Sequence, residues 1–222
     1  MDAISIIALS MGAAWASGIN LYATIFTLGY MGLTGNIILP EELQVLSDPM
    51  VMMAAGFMYF VEFFADKIPG VDSGWDTIHT FIRIPAGAML AASAVGDVTP
   101  AVELTAALLG GTLAAGSHAT KAGSRLLINT SPEPVTNWTA SISEDLLVIG
   151  GLWTALNHPT LFIIALVLFI ILMIWLLPKL WRLIKGIFKK VSNWLGITKE
   201  PLPDITHVDE LKSSSKIEHD PH

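Results

Sequence analysis

The sequence predicts an all-α protein, a polytopic transmembrane helical bundle of about six spans with kinked or re-entrant polar segments. Three observations predict it. Charged residues are 14% of the 222 residues and hydrophobic ones 53%, where a soluble domain carries about 25% charged residues. The charge is clumped, so that most of residues 1–61, 84–117 and 146–178 is nearly free of it. All twelve Lys and Arg fall on one side of the topology that results. A hydrocarbon core about 30 Å thick needs about 20 largely apolar residues per helix. Spans are therefore expected near 4–33, 49–65, 78–95, 101–117, 142–157 and 160–178. Several are short, and polar helical turns kept inside the protein would extend them. The organisation is a bundle over 1–178, a basic amphipathic interfacial helix over 179–196 and a disordered cytoplasmic tail over 197–222.

The first span is long for one straight crossing and is interrupted at mid-depth by Ser17, Gly18 and Asn20. At 100° per residue, Ser17, Asn20, Thr24 and Thr27 share one helical face. A polar stripe is costly in lipid, so it faces the bundle interior. It reads either as interhelical hydrogen-bond glue or as a partly unwound helix whose freed backbone groups line a site.

Orientation follows from the connections. Segments 34–48 (Glu41, Glu42, Asp48), 96–100 (Asp97) and 157–160 carry no base. Lys67 and Arg83 flank the second-to-third connection, Lys121 and Arg125 lie in the fourth-to-fifth, and eight bases follow the last span. Short cytoplasmic loops carry the excess of Lys and Arg, so both termini are expected in the cytoplasm. Met1-Asp2 lacks a basic n-region, and no cleavable signal is expected. The absence of cysteine excludes disulfides and thiolate metal sites.

Small residues mark close helix approach: Gly87 with Ala91, Gly110 with Ala114, Gly111 with Ala115, and Gly150 with Gly151. The last span, from Leu161 to Leu177, has no polar stripe and reads as lipid-facing and peripheral, with Pro178 ending it. Residues 179–195 form a basic, Trp-containing helix drawn to anionic inner-leaflet lipid, as an anchor or a lipid sensor. His207, His219 and His222 belong to the polar tail.

The segment from Glu62 to Arg83 is dense with ionisable groups. Pro69-Gly70 marks a turn. Ser73 with Asp76 makes a capping box that starts the third helix. Asp76, His79 and Arg83 then share a face, which Asp72 joins if the helix begins earlier. Arg83 lies about two turns into its span, where an unpaired Arg costs roughly 2.5–3.5 kcal/mol. Asp76 or Asp72 is its natural partner, with Glu62 across the hairpin. A second stripe, His118, Lys121, Arg125 and Asn129, answers the first. Pro132 and Pro134 then forbid regular helix over 131–139 and hold an extended or hairpin form. Ser141 or Ser143 caps the fifth span, with Glu144 and Asp145 in its first turn, where the dipole favours acids. Either inner connection can fold back into the membrane.

Gly-rich phosphate loops, nucleophile elbows and zinc helices are missing, which disfavours an enzyme and names no catalytic residue and no cofactor. Asp76-x-x-His79 has a helix-bundle metal spacing, with Glu62, Asp66, Glu144 and His118 as further candidate ligands. Arg83 and Lys121 would repel a cation there, and no metal is assigned. The matched charges read as an ion-pair lock between hairpins, as a solute or ion pathway, or as an interfacial site. The pathway is lined by Asn20, Asp66, Lys67, Asp76, His79, Arg83, Lys121 and Arg125, with Glu62, Asp72, His118, Glu133 and Glu144 in support. Its bases would neutralise an anion, and its acids and His79 would carry coupled protons. This points to a transporter or channel-like permease for a small polar or anionic solute. The alternatives are an inner-leaflet lipid-headgroup binding protein or enzyme, and a structural assembly partner. Membrane lipids, a small solute and a second copy of the chain are the partners in view; nucleic acid is not.

The strings Gly18-Ile-Asn20-Leu-Tyr22-Ala-Thr24, Glu62…Ala-Asp66-Lys67-Ile-Pro69-x-x-Asp72-x-x-Trp75-Asp76-x-x-His79-Thr-x-x-Arg83 and Lys121…Arg125…Ser131-Pro-Glu133-Pro carry a resemblance. They resemble a bacterial integral membrane family known as domain of unknown function 4126. The resemblance covers roughly residues 4–156 and leaves the last span, basic helix and tail outside. It implies a small helical protein of the bacterial cytoplasmic (inner) membrane and supplies no activity or substrate. The charge-derived orientation has a direct check. A thiol introduced by Glu41→Cys should react with an impermeant reagent applied outside intact cells; labelling solely from the cell interior would overturn the orientation.

Overall fold

Asp2 starts the first helix by accepting a hydrogen bond from the Ser5 amide at 2.9 Å, which satisfies one of the free donors of a helix start. From there α1 runs Ala3–Leu33. The structure, a computed structural model, describes residues 2–68, 71–128 and 134–194, apart from the side chains at 72, 73, 134, 187, 188 and 190–194. The further helices are α2 Pro49–Ala65, α3 Val71–Ala94, α4 Pro100–Ile128, α5 Pro134–Asn157 and α6 Pro159–Trp194, with a short 3-10 helix over Glu41–Ser47. Among the described residues there is no strand, so the fold is a helical bundle. The chain divides into two units, Met1–Trp181, which holds the bundle, and Arg182–His222, whose described part is helical as far as Trp194.

Four helices open on proline (Pro49, Pro100, Pro134 and Pro159). A proline there gives up an amide that a helix start leaves unpaired anyway. This corrects the expectation that Pro134 prevents helix up to Thr139. Pro134 starts α5, eight residues before the expected 142. Ser141 and Ser143 are therefore inside the helix and cap nothing; Ser143 Oγ donates to Thr139 O at 2.7 Å. Glu144 and Asp145 lie about three turns in, away from the dipole-favoured start. Similarly α3 begins at Val71, ahead of the Ser73–Asp76 box. α4 continues past 117 to Ile128 through polar turns that stay buried. α6 continues through Pro178 rather than ending there, since a proline removes a single main-chain donor and need not break a helix. The Pro69-Gly70 turn, the side chain of Asp72, Asn129, Glu133, the 131–133 stretch and the tail over 197–222 lie outside the described residues.

α1 is the central helix. Its most apolar stretch is 72% buried, against 11% for α6, which is the peripheral one, as expected. α1, α3 and α4 meet where none of the three has room for larger side chains. A Cβ at Gly18 would run into the Ser117 hydroxyl and the Ala114 carbonyl, one at Gly87 into Ala114 Cβ, and one at Gly110 into Ala91 Cβ. Ser10 and Ser117 stitch this crossing by donating to Ala91 O at 2.8 Å and Trp15 O at 3.0 Å. Gly151 receives the Trp15 ring, whereas Gly150 faces open space. The 3-10 helix lies on the C-terminal half of α1, where Ser47 Oγ donates to Gly29 O at 3.1 Å.

The bundle inverts the usual layering. Arg83 and Arg125 head the fully buried side chains, while Phe57, Phe60, Phe81, Met89, Leu108 and Leu146 are exposed. Two helices, Ala3–Leu33 and Pro159–Gly186, are long and apolar enough to cross a membrane. The bent pair Glu41–Ser47 and Pro49–Ala65, turned by 65°, would make a third if it is one span. The expected six spans thus correspond to six long helices, two of which qualify by length and composition. The charges of α3, α4 and α5, and the 17-residue length of α2, keep those four out. The crossing geometry yields a contrast. Gly18→Ala should lower stability in detergent by about 1–3 kcal/mol through overpacking. Gly150→Ala should leave it equal or raise it by up to about 1 kcal/mol. Thermal unfolding midpoints check both.

Candidate functional site

The site begins with a break in α1. Asn20 has φ −146° and ψ 100° inside an otherwise helical run. The Ala23 amide, whose helical acceptor would be Ile19 O, instead donates to Asn20 Oδ1 at 2.9 Å. Ile19 O is thereby released and accepts from Lys121 Nζ at 3.1 Å. Of the two expectations for this stripe, the unwound helix is what the fold contains, over one residue. Interhelical glue is present too, because Asn20 Nδ2 donates to Asp145 Oδ1 at 3.1 Å.

Four more segments bring charge to this break. The C-terminal end of α2 supplies Glu62 and, just after it, Asp66; the first half of α3 supplies Asp76 and Arg83; the second half of α4 supplies His118, Lys121 and Arg125; α5 supplies Glu144 and Asp145. Consecutive helices run in opposite directions here, so these positions fall at one end of the bundle. Arg83 Nη2 donates to Glu62 Oε1 at 2.5 Å and Nη1 to Asp76 Oδ1 at 3.0 Å, the partners its sequence position called for. Lys121 Nζ lies 3.3 Å from Glu62, 3.1 Å from Asp66, 3.7 Å from Asp76 and 3.6 Å from Glu144. Arg125 grips Glu144 with two parallel bonds, Nε to Oε1 at 3.0 Å and Nη2 to Oε2 at 2.7 Å. It also donates to the carbonyls of Asp66 and Asn137 at 3.1 and 3.3 Å.

The two histidines have fixed roles. His118 Nδ1 faces the Arg83 Nη1 donor at 3.2 Å, so that nitrogen is an acceptor. Its proton therefore sits on Nε2 and points to Thr80 Oγ1 at 2.7 Å, whose own proton goes to Asp76 O at 2.9 Å. His79 pairs Nδ1 with Trp75 O at 2.9 Å and Nε2 with the Tyr22 hydroxyl at 3.1 Å, while its ring stacks on Trp75. A carbonyl can only accept, so Nδ1–H donates to Trp75 O. His79 shares a face with Asp76 and Arg83, as expected, yet bonds away from the ion pairs.

Lys67 also stands apart. Its ammonium sits over the Phe63 ring, 2.9 Å from the centroid, and 5.0 Å from the Trp138 centroid. It donates to Phe63 O at 2.8 Å and Ser141 Oγ at 3.3 Å. Burial pushes it below the usual lysine range, opposed by the carboxylates of Asp145 and Asp66. The ring faces replace a carboxylate as its neutralising surface.

Of the expected lining, Asn20, Asp66, Asp76, Arg83, Lys121 and Arg125 come together, supported by Glu62, His118 and Glu144. His79 and Lys67 sit at the margin. Asp72's side chain and Glu133 lie outside the described residues. Sequence reasoning missed Asp145, Tyr59 and Tyr22 as members. Asp145 had been given to the helix start, and the tyrosines carry no periodic signal; the i−3 spacing of Tyr59 before Glu62 on α2 could have drawn attention to the first of them. Among the described residues no group of three or more His, Asp or Glu is arranged to hold a metal ion.

Cavities adjoin the cluster on two sides. One of about 480 Å³ lies beside the C-terminal half of α1, lined among others by Ala23, Thr27, Tyr30, Tyr59 and Trp153. A smaller one of about 110 Å³ is lined by Asp76, Thr77, Thr80, Ala122 and Leu126.

Residues 7–179 match a protein family described as Domain of unknown function (DUF4126). The chain belongs to this family. The match takes in the break, the whole charge cluster and α6 as far as Lys179, so the last span that the motifs left outside is part of the family's domain. No curated protein and no solved structure matches the chain.

Removing one member of a buried ion pair strands its partner, at a cost of about 3–5 kcal/mol. Arg83→Ala, which strands Glu62 and Asp76, should therefore destabilise by about that amount. Arg83→Ala combined with Glu62→Gln should recover part of it. Unfolding free energies of the two proteins in the same detergent test this.

Proposed function

We propose that this chain is a multi-pass protein of a bacterial cytoplasmic membrane, with the charge-cluster end of the bundle facing the cytoplasm, and that its charge cluster is the core of a proton-coupled permease for a small polar or anionic solute. The observation that carries the reading is the set of buried ionisable groups gathered around the unwound Asn20, with a cavity on either side. Intramembrane charges of this kind mark ion and solute pathways, and broken helices mark transporter binding sites. The multi-pass reading is supported by α2 to α5, which turn their charges inward and present Phe57, Phe81, Leu108 and Leu146 outward, the arrangement that lipid demands.

The charge balance bears on what moves. Glu62, Asp66, Asp76, Glu144 and Asp145 face Arg83, Lys121, Arg125 and Lys67, so acids outnumber bases. Glu62 Oε2, Asp66 Oδ1, Asp76 Oδ2 and Asp145 Oδ2 are buried without a hydrogen bond. That surplus favours protons as the coupling ion. An anionic solute would enter by taking the place of Glu144, the most exposed carboxylate of the network, on the Arg125 fork. The basic stretch after the last span would lie on the anionic inner leaflet as an anchor.

Protein reconstituted in vesicles should take up at least one of a panel of acetate, inorganic phosphate, urea and glycerol with saturation, faster under an inward proton gradient. In a folded Lys121→Gln protein that uptake should fall roughly tenfold or more, about 1.4 kcal/mol of barrier. No saturable uptake across the panel would remove the permease reading. A structural lock is the second reading, favoured by the pairing of Arg83, Lys121 and Arg125 within the bundle. It requires the charge swap Asp76→Arg with Arg83→Asp to keep function in cells, whereas a pathway would lose it.

A further inference from the structure

One carboxylate of the cluster forms no ion pair among the described residues. Asp145 projects from α5 and is 8% exposed. Among the described residues no Lys or Arg forms an ion pair with it, whereas Glu62, Asp66, Asp76 and Glu144 are each paired. Its Oδ1 accepts the Asn20 amide, and its Oδ2 is buried with no hydrogen bond. The surrounding ionisable groups are Tyr59 and Glu62 from α2, Asp66 and Lys67 from the connection after it, Lys121 and Arg125 from α4, and Glu144 on its own helix; α1 contributes Asn20. The Tyr59 hydroxyl faces the same carboxylate, and Tyr59 lines the larger cavity.

These facts separate Asp145 from the other acids. A proton on Glu62, Asp66 or Asp76 would take a partner away from Arg83, Lys121 or Arg125. A proton on Asp145 breaks no direct ion pair, since Lys67 feels that carboxylate only at longer range, and it removes a charge from a buried place. It also weakens the bond from Asn20, because a hydrogen bond to an ionised acceptor is about twice as strong as one to a neutral acceptor.

We propose that Asp145 is the proton-binding group of this protein, loaded from water in the larger cavity past Tyr59, and that its loading loosens the hold of α5 on the break in α1. The proton leaves a hydronium ion, the new O–H bond forms at Oδ2, and the Asp145 charge goes from −1 to zero. The coupling of this event to solute movement rests on the permease reading; the binding itself does not.

Infrared difference spectra of the full chain in detergent, recorded on lowering the pH in H2O and D2O, read the binding directly. The expected result is a protonated-carboxyl C=O band that shifts in D2O, is lost in Asp145→Asn, moves in Asp145→Glu and changes frequency in Asn20→Ala. Circular dichroism and gel filtration establish that each variant is folded. A band that persists unchanged in folded Asp145→Asn overturns the assignment. So does a band that sodium chloride suppresses at fixed pH, which would make the site one for a metal cation. Vesicle uptake separates the two claims. The Asp145 band with no uptake of any solute leaves the proton site standing and removes the permease. Uptake by Asp145→Asn that keeps its wild-type dependence on the proton gradient overturns the coupling role.

Discussion

A buried ammonium has three protons to place, and Lys121 places them among groups from every inner helix. Its Nζ reaches a carbonyl of α1, Glu62 of α2, Asp66 just beyond it, Asp76 of α3 and Glu144 of α5, all within 3.7 Å. No apolar side chain could connect so many elements through one atom. The arrangement depends on α4 coming close enough to α1 for a lysine in its second half to reach across. Gly18, Gly87, Gly110 and Ala114 make that approach by leaving out side-chain bulk where the helices cross. Small residues and large charges are thus two halves of one design. The first bring the backbones together, and the second fill the space beyond the crossing.

Apolar and charged side chains then share the bundle's interior. Leu9, Leu28, Leu43, Val148 and Leu152 form a conventional core around α1. The guanidinium groups of Arg83 and Arg125 occupy positions as secluded as any of these. Desolvating such groups is expensive, and the cost is offset only where partners are close and well oriented. The two-pronged Arg125–Glu144 contact and the forked Arg83 contacts have that geometry. The outward Phe, Met and Leu of α2 to α5 complete the inversion.

Much of this was legible in the sequence because it is periodic or scarce. Bases are few, so their confinement to particular connections stood out. The stripes Asp76–His79–Arg83 and His118–Lys121–Arg125 follow helical spacing, and a lone Arg inside a span demands an acid, so the pairing of Arg83 with Asp76 and Glu62 could be anticipated. The α1 and α2 ends were read closely because charge or proline marks them. What was not legible has physical causes. Pro134 can end an extended segment or begin a helix, and the sequence does not say which. Choosing the first moved Glu144 and Asp145 to a helix start and hid Asp145 from the site. Pro178 was read as a stop because a lost donor usually is one, yet α6 carries on. The tyrosines Tyr22 and Tyr59 act through position alone. The 3-10 helix over Glu41–Ser47 has no periodicity to announce it.

The break at Asn20 divides more than a helix. Residues before it pack on α3, α4, α5 and α6, through contacts such as Ser10 with Ala91, Gly12 with Phe162 and Gly18 with Ala114. Residues after it hold the 3-10 helix and α2, through Gly29 with Leu46 and Phe26 with Gly56. The central rod is therefore two rods, fastened to largely different neighbours and sharing α3 through Tyr22 and His79, and the larger cavity lies along the seam between α2 and α5. A change in the torsions of one asparagine would tilt one set against the other while leaving the tight crossing of α1, α3 and α4 undisturbed. The width of that seam is consequently a mechanical variable, adjustable at a single joint.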